Sequence, residues 1–174
     1  RTGFREAKGE YIIMCDADNT YDLLELKKFI KYTQKDKNTY DMIIGNRFNK
    51  NMKKGSMTFS HRYIGNPILS LLMRILFNTK ITDSHSGLRI IKKTSLEKLK
   101  LESDGMELAS EMIIKASQKK MHIKEIDITY HTRKGLSKLR SLNDGWKHLK
   151  MMLLYSPNYL FLIPGILLFI LGIS

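Results

Sequence analysis

Apolar and polar positions divide this chain into short runs. Residues 11–15, Tyr-Ile-Ile-Met-Cys, form an unbroken apolar run that stops at Asp16-Ala17-Asp18. A run of that length predicts a strand buried on both faces, as in a parallel sheet. Leu23, Leu24, Leu26, Phe29 and Ile30 then recur at helical spacing with lysines between them. A polar turn over 35–38 leads to a second strand over 40–44, which ends in Gly45-Asn46-Arg47-Phe48. Residues 49–60 are polar, basic and glycine-containing, and predict a loop. Helical spacing returns over 63–77, with Pro67 near the start, where proline is tolerated. An irregular stretch over 82–87, a short strand over 88–91 and helices near 94–99 and 107–119 follow. Residues 123–130 alternate and predict a strand with one buried face.

The last forty-odd residues differ in kind. Between His131 and Lys150 six basic residues (Arg133, Lys134, Lys138, Arg140, Lys147, Lys150) stand against the single acid Asp144. From Met151 onward no residue is charged, and 158–174 is almost wholly apolar. Seventeen residues at 1.5 Å rise give about 26 Å of helix, close to a hydrocarbon core of about 30 Å. This segment predicts the start of a transmembrane region over 157–174. The basic stretch over 131–156, carrying Trp146, predicts an amphipathic juxtamembrane collar. The positive-inside rule then places residues 1–130 on the cytoplasmic face. A buried core helix is the alternative, but the rest of the chain is small for hiding it.

Composition changes this picture little. The chain is 43% apolar, enough for a core, and its formal net charge is +13. Such a balance suits nucleic acid, an anionic membrane or phosphorylated ligands. Much of it is explained by the collar, and the aromatics interleaved on a basic sheet that would favour RNA are missing, so no nucleic-acid partner is expected. The lone Cys15 lies in the first apolar run and reads as a small core residue. Opening on Arg1 and ending inside an apolar run, the chain reads as a fragment.

Chemistry concentrates at four places. Asp16 and Asp18, at i and i+2 on an extended chain, point the same way at the carboxyl end of the first strand, where open α/β sheets bind ligands. Two carboxylates there suit a hard divalent cation holding a diphosphate; a cap on the following helix, made by Asp18, Asn19, Thr20 or Asp22, is the alternative. Arg47 and Arg62 flank predicted elements, and each guanidinium matches phosphate geometry. Asp83-Ser84-His85-Ser86-Gly87-Leu88-Arg89 packs an acid, hydroxyls, a histidine and a guanidinium into seven residues, against the simpler reading of a turn. His85 has no Cys or His partner at ligand spacing, which argues against zinc. Arg133-Lys134-Gly135-Leu136-Ser137-Lys138-Leu139 reads either as attraction to anionic lipid or as a cradle for one phosphate.

Taken in order, these four elements resemble the family 2 glycosyltransferases that load sugars onto polyprenyl phosphate, the dolichyl-phosphate mannose synthase and polyprenyl-phosphate glycosyltransferase group. The resemblance implies a GT-A fold, a Rossmann-like, mostly parallel α/β sheet, of which this chain holds the C-terminal part. It implies inverting transfer of a hexose from a nucleotide sugar of the GDP-mannose or UDP-glucose type to a polyprenyl or dolichyl phosphate. Asp16 and Asp18 would bind Mg²⁺ or Mn²⁺, with Thr20 as a candidate third ligand where family members often carry Gln. Asp83 would be the catalytic base. Arg47, Arg62, Arg89, Arg133, Ser137 and Lys138 would bind donor or acceptor phosphates. The opening strand of a GT-A domain and its base-binding acid are not in this sequence. One rival is a processive polysaccharide synthase, whose Gln-x-x-Arg-Trp element is missing, since the single tryptophan follows Asp144-Gly145. Another is a non-catalytic, basic, membrane-anchored binding domain.

Overall fold

The computed structural model describes residues 2–35, 39–48, 52–53, 55–132 and 141–173. Residues 36–38 of the predicted turn and part of the 49–60 loop lie outside the described residues, and Lys35 closes a helix instead. The element order is α1 (Thr2–Glu6), β1 (Tyr11–Met14), a 3-10 turn (Leu23–Glu25) running into α2 (Leu26–Lys35), and β2 (Met42–Asn46). A π-helical turn (His61–Gly65) continues as α3 (Asn66–Phe77), followed by β3 (Arg89–Lys92), α4 (Lys93–Leu99), α5 (Leu108–Gln118) and β4 (Ile123–Asp127). Last come α6 (Ser141–Leu154), a second π-helical turn (Asn158–Leu162) and α7 (Ile163–Ile173).

The four strands form one sheet in the order β1-β3-β2-β4. β3 runs antiparallel to both neighbours, pairing Met14 and Ile44 with Arg89, while β2 and β4 are parallel. β1, β2 and β4 therefore point the same way and β3 alone is reversed. This corrects the mostly parallel sheet expected from the sequence: the sheet is mixed. The reversal has a functional consequence, because the start of β3 lies beside the ends of β1 and β2. The segments after Met14, after Asn46, after Asp127 and before Arg89 all gather at one edge of the sheet.

Alternation along the central strands supplies both faces of the core. Met42, Ile44 and Ile91 face Met73, Leu96, Leu99, Met112, Ile113 and Met152 from α3, α4, α5 and α6. Ile43 and Ile90 face the other way, with Phe29 of α2, Leu88, Ile128 and Tyr130. Gly45 is required by close packing, since a Cβ there would collide with the Ile128 side chain. β1 departs from expectation. It is an edge strand whose Ile12 and Met14 join one core cluster and whose Tyr11, with the adjoining Cys15, only partly covers the other face, leaving Ile13 46% exposed.

Within the predicted collar, α6 packs on α3 and α5 and buries His148 and Met152. Its Trp146 remains 62% exposed. No single described helix is long and apolar enough to cross a membrane. Asn143–Leu154 and Asn158–Gly172 meet that length and composition only as a pair, across a bend of 87°. The second member exposes apolar side chains around its circumference, among them Phe161, Leu162, Ile166, Leu168 and Phe169.

Candidate active site

The turn after β1 is built by its own polar side chains. Asn19 takes a left-handed conformation (φ 64°), which a short polar side chain tolerates. Asp18 Oδ1 accepts from the Thr20 backbone N–H at 3.2 Å and from the Thr20 hydroxyl at 2.5 Å. The helix cap belongs to Asp22, which accepts from the Leu24 N–H at 2.9 Å. Thr20, expected as a candidate metal ligand, is fully buried and gives its hydroxyl proton to Asp18.

Asp16 lies against the segment preceding β3. Gly87 backs directly onto its carboxylate, so closely that any Cβ at that position would strike it. The Gly87 N–H donates to the Tyr21 hydroxyl at 2.7 Å. Burial pushes the Tyr21 hydroxyl up to about 12, with the Arg47 charge opposing and the Tyr130 and Asp16 charges reinforcing the shift. The hydroxyl therefore stays protonated and neutral beside Asp16.

Arg47 and Asp83 form a buried two-point pair. Arg47 Nε donates to Asp83 Oδ2 and its Nη2 to Oδ1, both at 2.7 Å, and the Arg47 backbone N–H adds a third bond at 2.9 Å. Burial opposes the Arg47 charge, but the Asp83 carboxylate beside it outweighs this and holds its pKa well above the ordinary value. The guanidinium also lies over the Tyr130 ring at 5.3 Å. Asp83 is itself positioned from β4: Glu125 accepts from the Asp83 N–H at 2.7 Å and from the Thr82 N–H and hydroxyl at 2.9 Å. Glu125 is a site residue that the sequence reading missed. Its signal was an acid on the half-buried strand over 123–130.

These residues border a cleft of about 350 Å³ lined by Asp16, Arg47, Tyr130, Met106, His85 and His148, among others. Asp83, expected as catalytic base, does not line it. Its side chain has no exposure, and both of its oxygens are held by Arg47. Arg89, expected on phosphate, is corrected too. It is fully buried and donates to the carbonyls of Ser84, Ser86 and Ala109 at 2.7–2.9 Å, so it clamps the 84–88 backbone onto α5. Burial lowers its pKa to about 10 despite Asp83 nearby. Arg62 stacks on its neighbour Tyr63 at 5.2 Å, and His61 rather than Arg62 lines the cleft. Arg133, Ser137 and Lys138 lie outside the described residues.

Among the described residues no three His, Cys, Asp or Glu side chains converge as a metal site. Two carboxylates, Asp16 and Asp18, remain at the strand end. That set fits Mg²⁺, which is commonly held by one or two carboxylates together with substrate phosphates.

The glycosyl transferase family 2 profile matches residues 1–100. The chain belongs to this family. It is 40% identical over 98% of its length to the low-salt glycan biosynthesis hexosyltransferase Agl6 of Haloferax volcanii, of which it spans 41%. It is 29% identical over 84% of its length to a UDP-N-acetylglucosamine–dolichyl-phosphate N-acetylglucosaminyltransferase of Methanococcus voltae, of which it spans 59%. The chain thus spans about half the length of these relatives. Among solved structures it resembles glucosyl-3-phosphoglycerate synthase of Mycobacterium tuberculosis, with a TM-score of 0.62 over 89% of this chain and 52% of that one, at 10% identity. That likeness concerns the fold alone, which is α/β, GT-A-like and mixed in its sheet.

Proposed function

We propose that this chain carries the phosphate-handling half of an enzyme that transfers a hexose from a nucleotide sugar to a polyprenyl or dolichyl phosphate at the cytoplasmic face of a membrane. The main support is Arg47, held from behind by the buried Asp83, lining one cleft with Asp16 and with α6. That helix leads directly into the exposed apolar segment. Names of the relatives agree in class: one is a hexosyltransferase of glycan biosynthesis, the other is named for dolichyl phosphate.

In the proposed step an oxygen of the lipid phosphate attacks the anomeric carbon, the bond from that carbon to the diphosphate breaks, and the nucleoside diphosphate leaves with its electron pair. Attack from the opposite side inverts the anomeric centre. Mg²⁺ or Mn²⁺, when bound, would neutralise charge growing on the leaving group. Asp16 and Asp18 would hold it, with Thr20 and Gly87 fixing those two carboxylates. Arg47 adds a fixed positive charge at the same edge, pre-oriented by Asp83 and requiring no reorganisation during the reaction. A phosphate monoester has a second pKa of about 6, so the acceptor needs no base at neutral pH. Asp83 then acts as a positioning residue for Arg47. The apolar segment over 158–173 would engage the lipid phase and bring the acceptor phosphate to the α6 side.

The test is transfer of labelled sugar from UDP- or GDP-linked donors to polyprenyl phosphate by membranes containing the full-length protein. Divalent-dependent product that disappears with Asp16→Ala supports the reading. Product that forms equally with Asp16→Ala overturns it.

A further inference from the structure

Five side chains from four parts of the fold form one hydrogen-bonded chain. Ser70 of α3 lies 2.9 Å from the Ser84 hydroxyl, and Ser84 lies 2.9 Å from His85 Nδ1. His85 Nε2 lies 3.3 Å from the Ser110 hydroxyl of α5, which lies 2.8 Å from His148 Nδ1 of α6. The two imidazoles meet edge to face, with ring centres 4.6 Å apart. Ser70, Ser84 and Ser110 are all buried. Burial, with the nearby positive charges of Arg47 and Arg89, pushes His85 well below its ordinary pKa. Burial likewise lowers His148. Both rings are therefore neutral at pH 7, each with one N–H and one bare nitrogen.

The direction of this chain follows from counting protons. Ser70 Oγ already accepts the Ser84 backbone N–H at 3.3 Å. Its own proton has Ser84 Oγ as its one acceptor among the described residues. A buried hydroxyl proton without an acceptor is costly, so Ser70 donates to Ser84. Ser84 must then donate to His85 Nδ1. That leaves the His85 proton on Nε2, donating to Ser110, and Ser110 donates to His148 Nδ1. The His148 proton is left on Nε2. That nitrogen has no partner among the described residues, and the ring lines the cleft with Arg47 and Asp16. The reverse direction strands the Ser70 proton in the core.

We propose that His148 is a phosphate-binding residue, presenting a fixed, neutral Nε2–H donor to a phosphate oxygen in the cleft, with its tautomer set from Ser70 through Ser84, His85 and Ser110. Chains of aligned hydrogen bonds polarise one another, which strengthens the terminal donor. The phosphate is either the acceptor monoester or the donor diphosphate; the identity of these ligands rests on the proposed function, whereas the tautomer does not.

The intact protein, labelled with ¹⁵N-histidine, tests this through two-bond proton–nitrogen correlations at neutral pH. His148 is expected as the Nε2–H tautomer, with its Nε2–H signal shifting when farnesyl phosphate or a nucleoside diphosphate (UDP, GDP) is added. Whichever ligand shifts it identifies the source. A Nδ1–H tautomer, an imidazolium, or no shift with either ligand overturns the proposal. His148→Ala is expected to weaken binding of that ligand about ten- to a hundredfold, the range for a hydrogen bond to a charged group. His148→Gln, whose amide N–H replaces the Nε2 donor, should recover most of it, and His148→Asn should not; equal affinity in all three overturns the role. Membranes that transfer no sugar would remove the proposed function while leaving the tautomer result standing.

Discussion

At the scale of single residues the site is a set of charges pinned by buried neighbours. Arg47 is the clearest case, because Asp83 occupies the fork and the Tyr130 face supports it. Removing one member of a buried pair leaves the other charge uncompensated, a loss of about 3–5 kcal/mol. Asp83→Ala should therefore lower unfolding free energy by that order in urea titrations and abolish transfer. Asp83→Asn separates two roles. It keeps an oxygen toward Arg47, so a positioning residue gives reduced turnover with an unchanged pH profile, whereas a base would lose the profile's acidic limb together with turnover. Gly87→Ala tests the close approach to Asp16, and should raise the divalent-ion concentration needed for half-maximal turnover about ten- to a hundredfold while leaving circular dichroism unchanged. The imidazoles set a pH dependence of stability. Both His85 and His148 have folded pKa values below the unfolded value of about 6.5. The unfolded chain then binds more protons, so stability is full above about pH 6.5 and falls as pH drops through it. Urea unfolding followed at neutral and mildly acidic pH should show that slope, and it should shrink in His85→Gln.

At the scale of elements, the reversed β3 decides where the chemistry gathers. Residues 88–91 were readable as a strand, and Asp16-Ala17-Asp18 as a strand end, because apolar runs interrupted by acids are local signals. Strand direction is not local. Nothing in Leu88-Arg89-Ile90-Ile91 states that it inserts backwards between β1 and β2, yet that insertion brings Gly87 to Asp16 and Asp83 to Arg47. Arg89 was misread for the same reason: a guanidinium near an acid looks like a phosphate site until α5 supplies the Ala109 carbonyl. Glu125 and His148 carry only weak local signals, an acid on a half-buried strand and a histidine in a basic stretch, because their partners Asp83 and Ser110 lie about forty residues away along the chain. The helices were readable by periodicity, and their inner faces carry the stability. Ile113 of α5 is fully buried among core side chains, and Ile113→Ala should cost about 2–5 kcal/mol, measured as a shift of the urea midpoint at constant slope.

At the scale of the whole molecule, a net charge of +13 coexists with an exposed apolar helix joined through α6 to the cleft wall. A helix apolar all round belongs in a core or a membrane, and Phe169 is 69% exposed. Phe169→Lys combined with Leu168→Lys should therefore weaken membrane attachment of the full-length protein, read by flotation, and reduce transfer to polyprenyl phosphate while sparing transfer to a water-soluble short-chain acceptor. If Asp16, Arg47 and α6 build one phosphate-handling site for sugar transfer to a lipid phosphate, full-length wild-type, Asp16→Ala and Arg47→Ala proteins in membranes should differ sharply in transfer from a labelled nucleotide sugar to polyprenyl phosphate. Wild type should give Mg²⁺-dependent glycolipid and either variant at least a hundredfold less, since one lost transition-state contact costs about 2.7–4 kcal/mol. Wild-type rates retained by both variants would contradict such a site.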